Sequence, residues 1–215
     1  MTAKAIPFDW VYRAKQPEGS GPFPVILLLH GWTGDENSMW VFTPRLPENR
    51  MLIAPRGLYP APQGGFAWHP ALNGWPSLQH FDETVNVLLE FLTPTRFPAA
   101  DFSELHLVGF SQGAALAYAF TLSHPERVAS LAALSGFLPE AVVIEPSSRR
   151  LSGLPVFITH GSKDILVPVD RARQAAELLD LAGANVTYCE HDVGHKLNAS
   201  CFRGLEVFYR ELGAK

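Results

Sequence analysis

The chemistry in this chain begins at Ser111. Gly109-Phe110-Ser111-Gln112-Gly113 sets a serine between two glycines. The apolar run Leu105-His106-Leu107-Val108 precedes it and the alanine-rich stretch Gln112 to Ser123 follows it, so the context reads strand, turn, helix. A serine on so sharp a turn sits at a strained backbone angle, and side chains two positions away would strike the neighbouring strand and helix; hence the glycines. The turn also stands at a helix N-terminus, where backbone N–H groups and the helix dipole favour developing negative charge. A serine hydroxyl is a weak nucleophile near pH 7 and needs an adjacent general base. The chemistry implied is acyl transfer through an activated alcohol.

With a strand-to-helix serine of this kind, the acid and then the histidine follow it along the chain. Of the eight histidines, His30, His106 and His160 lie at or within strands, and His69, His80 and His124 precede the elbow or lie beside it. His191 and His195 follow the last strand. Gly194 lets the loop bend, which favours His195 and leaves His191 as the alternative base. The loop His160 to Pro168 holds a single carboxylate, Asp164, suited to fixing the histidine tautomer and stabilising the imidazolium. Asp192 is its rival, too close to His195 in sequence to come from a separate strand end. Asp170 reads as a helix cap. Two backbone N–H groups must meet the oxyanion. One belongs to Gln112 and the other to the loop His30-Gly31-Trp32-Thr33-Gly34, at Trp32 with Thr33 as the fallback. Thr33, Trp68, Phe110 and Leu166, with the Trp32 ring, are candidates to line an apolar substrate pocket.

The elements that must position these residues alternate. Ile6, Phe8, Trp10 and Tyr12 show period two, as in an antiparallel strand near a sheet edge. Val25 to Leu29 is apolar without alternation, as in a central strand covered on both faces. Strands are expected at Met51 to Ala54, Leu105 to Val108, Val128 to Leu134, Leu154 to Thr159 and Asn185 to Cys189. Helices are expected from Leu78, over Gln112 to Ser123, over Asp170 to Leu181 up to Gly183, and at the end with Cys201, Leu205, Phe208 and Leu212 on one face. This is an α/β pattern with a mostly parallel, doubly wound sheet over residues 1–215 as a single domain, whose ligands bind beyond the carboxyl ends of the strands. Two irregular stretches stand out, Pro60 to Pro76 and Phe137 to Gly153.

Composition narrows the classes. Hydrophobic residues are 47 % and charged residues 18 %, which excludes a disordered chain, and 215 residues can bury one substantial core. A net charge of −4 with no Lys/Arg cluster excludes a nucleic-acid partner. No apolar run approaches the roughly 20 residues of a membrane span, and Met1 to Arg13 lacks the apolar core of a signal peptide, so a cytoplasmic protein without stable membrane insertion is expected. Cys189 and Cys201 read as buried free thiols, with a disulfide as the alternative.

Taken together, Gly109-Phe110-Ser111-Gln112-Gly113, His160-Gly161 through Asp164 to Val167-Pro168, and Gly194-His195 resemble the phospholipase/carboxylesterase family of α/β hydrolases, in order from Val25 to about Leu212. Pro55-Arg56-Gly57 and Gly65-Phe66-Ala67-Trp68 resemble its bacterial esterase members. The resemblance implies the α/β-hydrolase fold, and 215 residues are short for that fold, so little or no lid and a rather open site are expected. The resemblance also implies hydrolysis of carboxylic or thioester bonds without cofactor or metal, with Ser111, Asp164 and His195 as triad and Trp32 and Gln112 as oxyanion donors. Thioesterase members carry a Leu-Gly pair where this chain has Trp32-Thr33, so a bulky ring stands beside the nucleophile and short or medium acyl esters of small molecules are expected. Acyl thioesterase or lysophospholipase activity on the same triad, and a non-catalytic binding module, are the alternatives. A monomer or homodimer is expected.

Overall fold

The computed structural model describes residues 10–142 and 149–213. Seven strands form one sheet: β1 (Tyr12–Lys15), β2 (Phe23–Leu29), β3 (Met51–Pro55), β6 (Ala100–Phe110), β7 (Ser130–Leu134), β8 (Pro155–Gly161) and β9 (Asn185–His191). Their order in space is β1-β3-β2-β6-β7-β8-β9. Only β1 runs antiparallel, pairing Tyr12 with Pro55 and Lys15 with Leu52 at the sheet edge. The first half of the expected edge strand, Ile6 and Phe8, lies outside the described residues. A two-stranded hairpin, β4 (Tyr59–Pro60) with β5 (Phe66–Ala67), stands apart inside the first irregular stretch.

The unalternating run of β2 has the expected cause. Val25, Leu27 and Leu29 enter the core on one face and Ile26 and Leu28 the core on the other, all fully buried. Three helices supply the first core: α1 (Asp82–Phe91), α2 (Gln112–Ser123) and α3 (Val169–Leu181). The second is closed by α4 (Ala199–Leu212) and a 3-10 segment, Ser38–Arg45, which brings in Met39 and Phe42. Helix α2 is buried from Gln112 through Thr121. Alanines at 114, 115, 117 and 119 keep it thin enough to lie in the middle of the molecule, and a helix apolar all round belongs there. Helix α1 begins later than Leu78, because Leu78–Phe81 is a 3-10 turn entered through a Ser77–His80 capping box.

The cysteines depart from the free-thiol expectation. Cys189, near the end of β9, and Cys201, in the first turn of α4, form a disulfide across 6.0 Å between Cα atoms. They flank the short 192–198 connection, which brings them within bonding reach. A disulfide removes what support the cysteines lent to a reducing compartment.

Candidate active site

Six connections leave carboxyl ends of parallel strands on one side of the sheet, and those after β2, β6, β8 and β9 matter most here. They carry Trp32, Ser111, Asp164 and His195. Ser111 joins β6 to α2 with φ 53° and ψ −115°, a conformation that a residue with a Cβ holds only under strain. Surrounding bonds impose it. Ser111 N donates to Leu134 O at 2.9 Å, and Ser111 O accepts from Ala114 N at 3.0 Å and Ala115 N at 3.2 Å. A Cβ on Gly109 would fall 2.5 Å from Ala114 N, and one on Gly113 would fall 2.5 Å from His30 O. Both glycines are therefore demanded by close approach.

Asp164 lies in the loop after β8, its side chain fully buried. One oxygen, Oδ1, accepts from the backbone N–H groups of Leu166 and Val167, each at 2.9 Å. The other accepts from His195 Nδ1 at 2.6 Å. This bond fixes the neutral His195 ring with its proton on Nδ1 and leaves Nε2 as a bare acceptor. His160 Nε2 lies 3.4 Å from the same Oδ2 but donates to Val167 O at 2.8 Å. Burial lowers the His160 pKa and keeps it neutral. The loops of acid and base are stitched together, since Ser162 N donates to His191 O at 2.8 Å and Lys163 N to Val193 O at 3.0 Å. The rival residues are elsewhere: Asp192 is exposed and paired with Lys163 at 2.7 Å.

Ser111, His195, Trp32 and Gln112 line one cleft of about 500 Å³. Thr33, Phe110 and Leu166 line it too. Gly31 lets the loop after β2 lie against the elbow, where a Cβ would meet the Phe110 ring at 3.1 Å and Ser111 Cβ at 3.3 Å. Gln112 opens α2, so its backbone N–H has no acceptor within the helix. A second cleft of about 470 Å³ adjoins the first across Trp32, Thr33 and Phe110 and is walled by Met39, Val41, Phe42, Leu197 and Phe202.

Three sequence expectations change. Trp68 is not on the cleft wall; its ring is fully buried and tilted against His30 at 4.5 Å. Asp170 does not cap α3, whose N-cap is Pro168; it sits in the first turn beside Arg173. Gly194 has no neighbour nearer its missing Cβ than Lys163 O at 3.9 Å. The glycine whose bareness brings the loops together is Gly161, where a Cβ would overlap the Val193 and Gly194 carbonyls.

Sequence reasoning missed His69, Leu72, Trp75, Phe137 and Val167 on the cleft. Trp75 and His69 belong to the irregular stretch before α1, and aromatic residues in a stretch without secondary structure were the available signal. His30 and His69 are buried. Each donates Nδ1–H to a carbonyl, Gly31 O and Pro70 O respectively, both at 2.7 Å, and accepts at Nε2, from Gly57 N at 2.8 Å and from the Gln112 side chain at 2.9 Å. Burial lowers both pKa values, which suits the neutral tautomers these bonds require. Among the described residues, the His/Cys/acid group compact enough for a metal is Cys189, His191 and Cys201, and its two sulfurs are already joined.

The sequence pattern of the phospholipase/carboxylesterase family matches residues 15–211. Acyl-protein thioesterase 1 of Kluyveromyces lactis is 27 % identical over 174 residues, covering 73 % of this chain and 76 % of that protein. Acyl-protein thioesterase 1 of Candida albicans is 28 % identical over 188 residues, 77 % of this chain and 80 % of that protein. Among solved structures, the Bacillus cereus carboxylesterase superposes with a TM-score of 0.79 at 22 % identity, over 93 % of both chains. Esterase PE8 superposes with a TM-score of 0.79 at 23 % identity, over 94 % of this chain and 99 % of that one.

Proposed function

The chain belongs to the phospholipase/carboxylesterase family and is an α/β hydrolase of the esterase/thioesterase type, and we propose that it is a serine carboxylesterase for short to medium acyl esters of small molecules. Ser111 is the nucleophile, His195 the general base and Asp164 the residue that orients it. The observation that carries this reading is the part-buried 2.6 Å bond from His195 Nδ1 to Asp164 Oδ2, with His195 lining the same cleft as a strained Ser111.

The steps follow from those positions. Ser111 Oγ attacks the ester carbonyl carbon while His195 Nε2 takes the hydroxyl proton. The carbonyl oxygen becomes an oxyanion held by the Trp32 and Gln112 backbone N–H groups. His195 returns its proton to the departing alkoxide, leaving an acyl-serine. Water, deprotonated by the same nitrogen, then releases the acid and restores the serine. Asp164 stays ionised and steadies the imidazolium. The cleft of about 500 Å³ between Trp75, Phe137 and Leu166 suits a modest apolar group. Among the described residues no helix is long and apolar enough to cross a membrane.

Hydrolysis of p-nitrophenyl esters from acetate to dodecanoate by wild type and Ser111→Ala tests the reading. Wild-type rates should peak at or below about eight carbons and vanish in the variant. Retained turnover in the variant, or rates still rising past ten carbons, would contradict the nucleophile or the pocket respectively. The thioesterase reading is favoured by the acyl-protein thioesterase relatives; matched ester and thioester pairs decide between them.

A further inference from the structure

We propose that Trp68 is a positioning residue that clamps the two halves of the oxyanion hole at a fixed separation. The inference rests on the esterase reading above and extends it to a residue that touches no substrate. The two N–H donors belong to different elements, the loop after β2 and the start of α2. A tetrahedral oxyanion needs both aimed at one point, to within about half an ångström. Something must hold the two elements in register, and Trp68 bonds to both.

Its backbone N–H donates to Gln112 Oε1 at 2.9 Å, gripping the helix start. Its indole Nε1–H donates to His30 O at 2.7 Å, gripping the loop two residues before Trp32. The donor–acceptor logic allows no other assignment. Both Trp68 groups only donate, so the Gln112 oxygen must face Trp68 and its amide nitrogen must face His69. That nitrogen donates to His69 Nε2 at 2.9 Å, which is bare because His69 Nδ1–H is committed to Pro70 O. Trp68 is itself held from behind: Thr84 Oγ1, fully buried on α1, donates to Trp68 O. The same strand-and-loop segment touches the oxyanion loop twice more. Phe66 N donates to Gly34 O at 2.9 Å, and Gly65 lies so close to Thr33 O that no Cβ fits.

A tryptophan buried only for its bulk would still seek a partner for its N–H. The clamp makes a further demand, because loss of the bond should weaken binding of the oxyanion and leave binding of the neutral ester alone. Trp68→Phe keeps the ring against His30 and deletes the indole N–H. Active sites are counted by fluorophosphonate titration, so that a lower folded fraction does not pass for slower chemistry. The expected result is a loss of about tenfold or more in kcat/KM per active site for p-nitrophenyl butyrate, part of the 10²–10³ that follows loss of a whole donor. Inhibition by a trifluoromethyl ketone, which forms an oxyanion on Ser111, should weaken by the same factor. Inhibition by the isosteric ether, which has no carbonyl, should not change.

Unchanged kcat/KM per active site, or weakening of the ether as strong as that of the ketone, overturns the clamp even if the melting temperature falls. Should the phenylalanine variant not fold, Thr84→Val is measured in the same way, with the same parallel loss expected and the same refutation. Failure of wild-type Ser111 to react with the fluorophosphonate overturns the esterase reading instead; a reactive wild type with an unimpaired Trp68 variant overturns only the clamp.

Discussion

Replacing Gly161 by alanine should disable the site without touching a reacting group. Gly161 ends β8, and its backbone is not in the left-handed region, so alanine is conformationally permitted there and the obstacle is space alone. The new Cβ would overlap the carbonyl oxygens of Val193 and Gly194 and lie 2.9 Å from the Val193 carbonyl carbon, where ordinary contact begins at 3.4 Å. The segment before His195 has to retreat by on the order of 1 Å, a misplacement that costs about 10²-fold in rate. The retreat pulls on Lys163 N to Val193 O at 3.0 Å and, through the chain, on the His195–Asp164 bond at 2.6 Å. Overpacking of this kind costs about 1–3 kcal/mol, which in a chain of this size lowers the melting temperature by roughly 2–12 °C. The assay is kcat/KM per titrated active site, with melting followed by circular dichroism. Gly194→Ala is the control: its nearest neighbour is 3.9 Å away, and activity should stay within about threefold. A Gly161→Ala protein that melts with wild type and turns over within threefold of it would refute the reasoning, as would a Gly194 variant that fails while Gly161→Ala works.

Three further outcomes follow. Ser111→Gly should abolish hydrolysis yet stabilise the fold by about 1 kcal/mol in urea melts, because relief of about 1–3 kcal/mol of strain outweighs the extra freedom of glycine in the unfolded chain, whereas Ser111→Ala keeps its Cβ and gains nothing. Stability should fall as pH drops from about 6.5 toward 4: burial, aided by the nearby Arg50 charge, pushes His106 down to about 4, so the unfolded chain takes the proton first and about 2–3 kcal/mol is lost across that window. His30, His69 and His160 act in the same direction, and urea midpoints independent of pH there would contradict all four. Native protein should give no thiol reaction with Ellman's reagent, and reduction should cost about 3 kcal/mol, as expected for closing a loop with a sequence separation of 12.

The elbow is legible in the sequence because its constraints are local: two glycines and a serine within five residues, with a strand before and a helix after. The order of serine, acid and histidine along the chain is legible because it accompanies a strand-to-helix serine elbow, and loops after parallel strands all open on one edge. Contacts between distant segments are not. Trp68 looks like a cleft residue when read as a tryptophan in an irregular stretch. Its partners are 44 residues away at Gln112 and 38 away at His30, and neither spacing leaves a periodic trace. Gly194 and Gly161 are equally bare in sequence, and only the packing of one loop on the other shows which must be. Cys189 and Cys201 both read as core residues, but nothing in a strand followed by a helix tells which faces meet. The 3-10 segment Ser38–Arg45 carries too few turns to show a helical period, so the wall of the second cleft was hidden as well.

The central claim is that His195, steadied by Asp164, makes Ser111 nucleophilic. The most direct measurement is the rate and site of fluorophosphonate labelling, read by tandem mass spectrometry in wild type and His195→Ala. One adduct is expected, on Ser111, formed at least about 10³-fold more slowly without the imidazole. Labelling at another residue, or at Ser111 with an undiminished rate in the histidine variant, would contradict it.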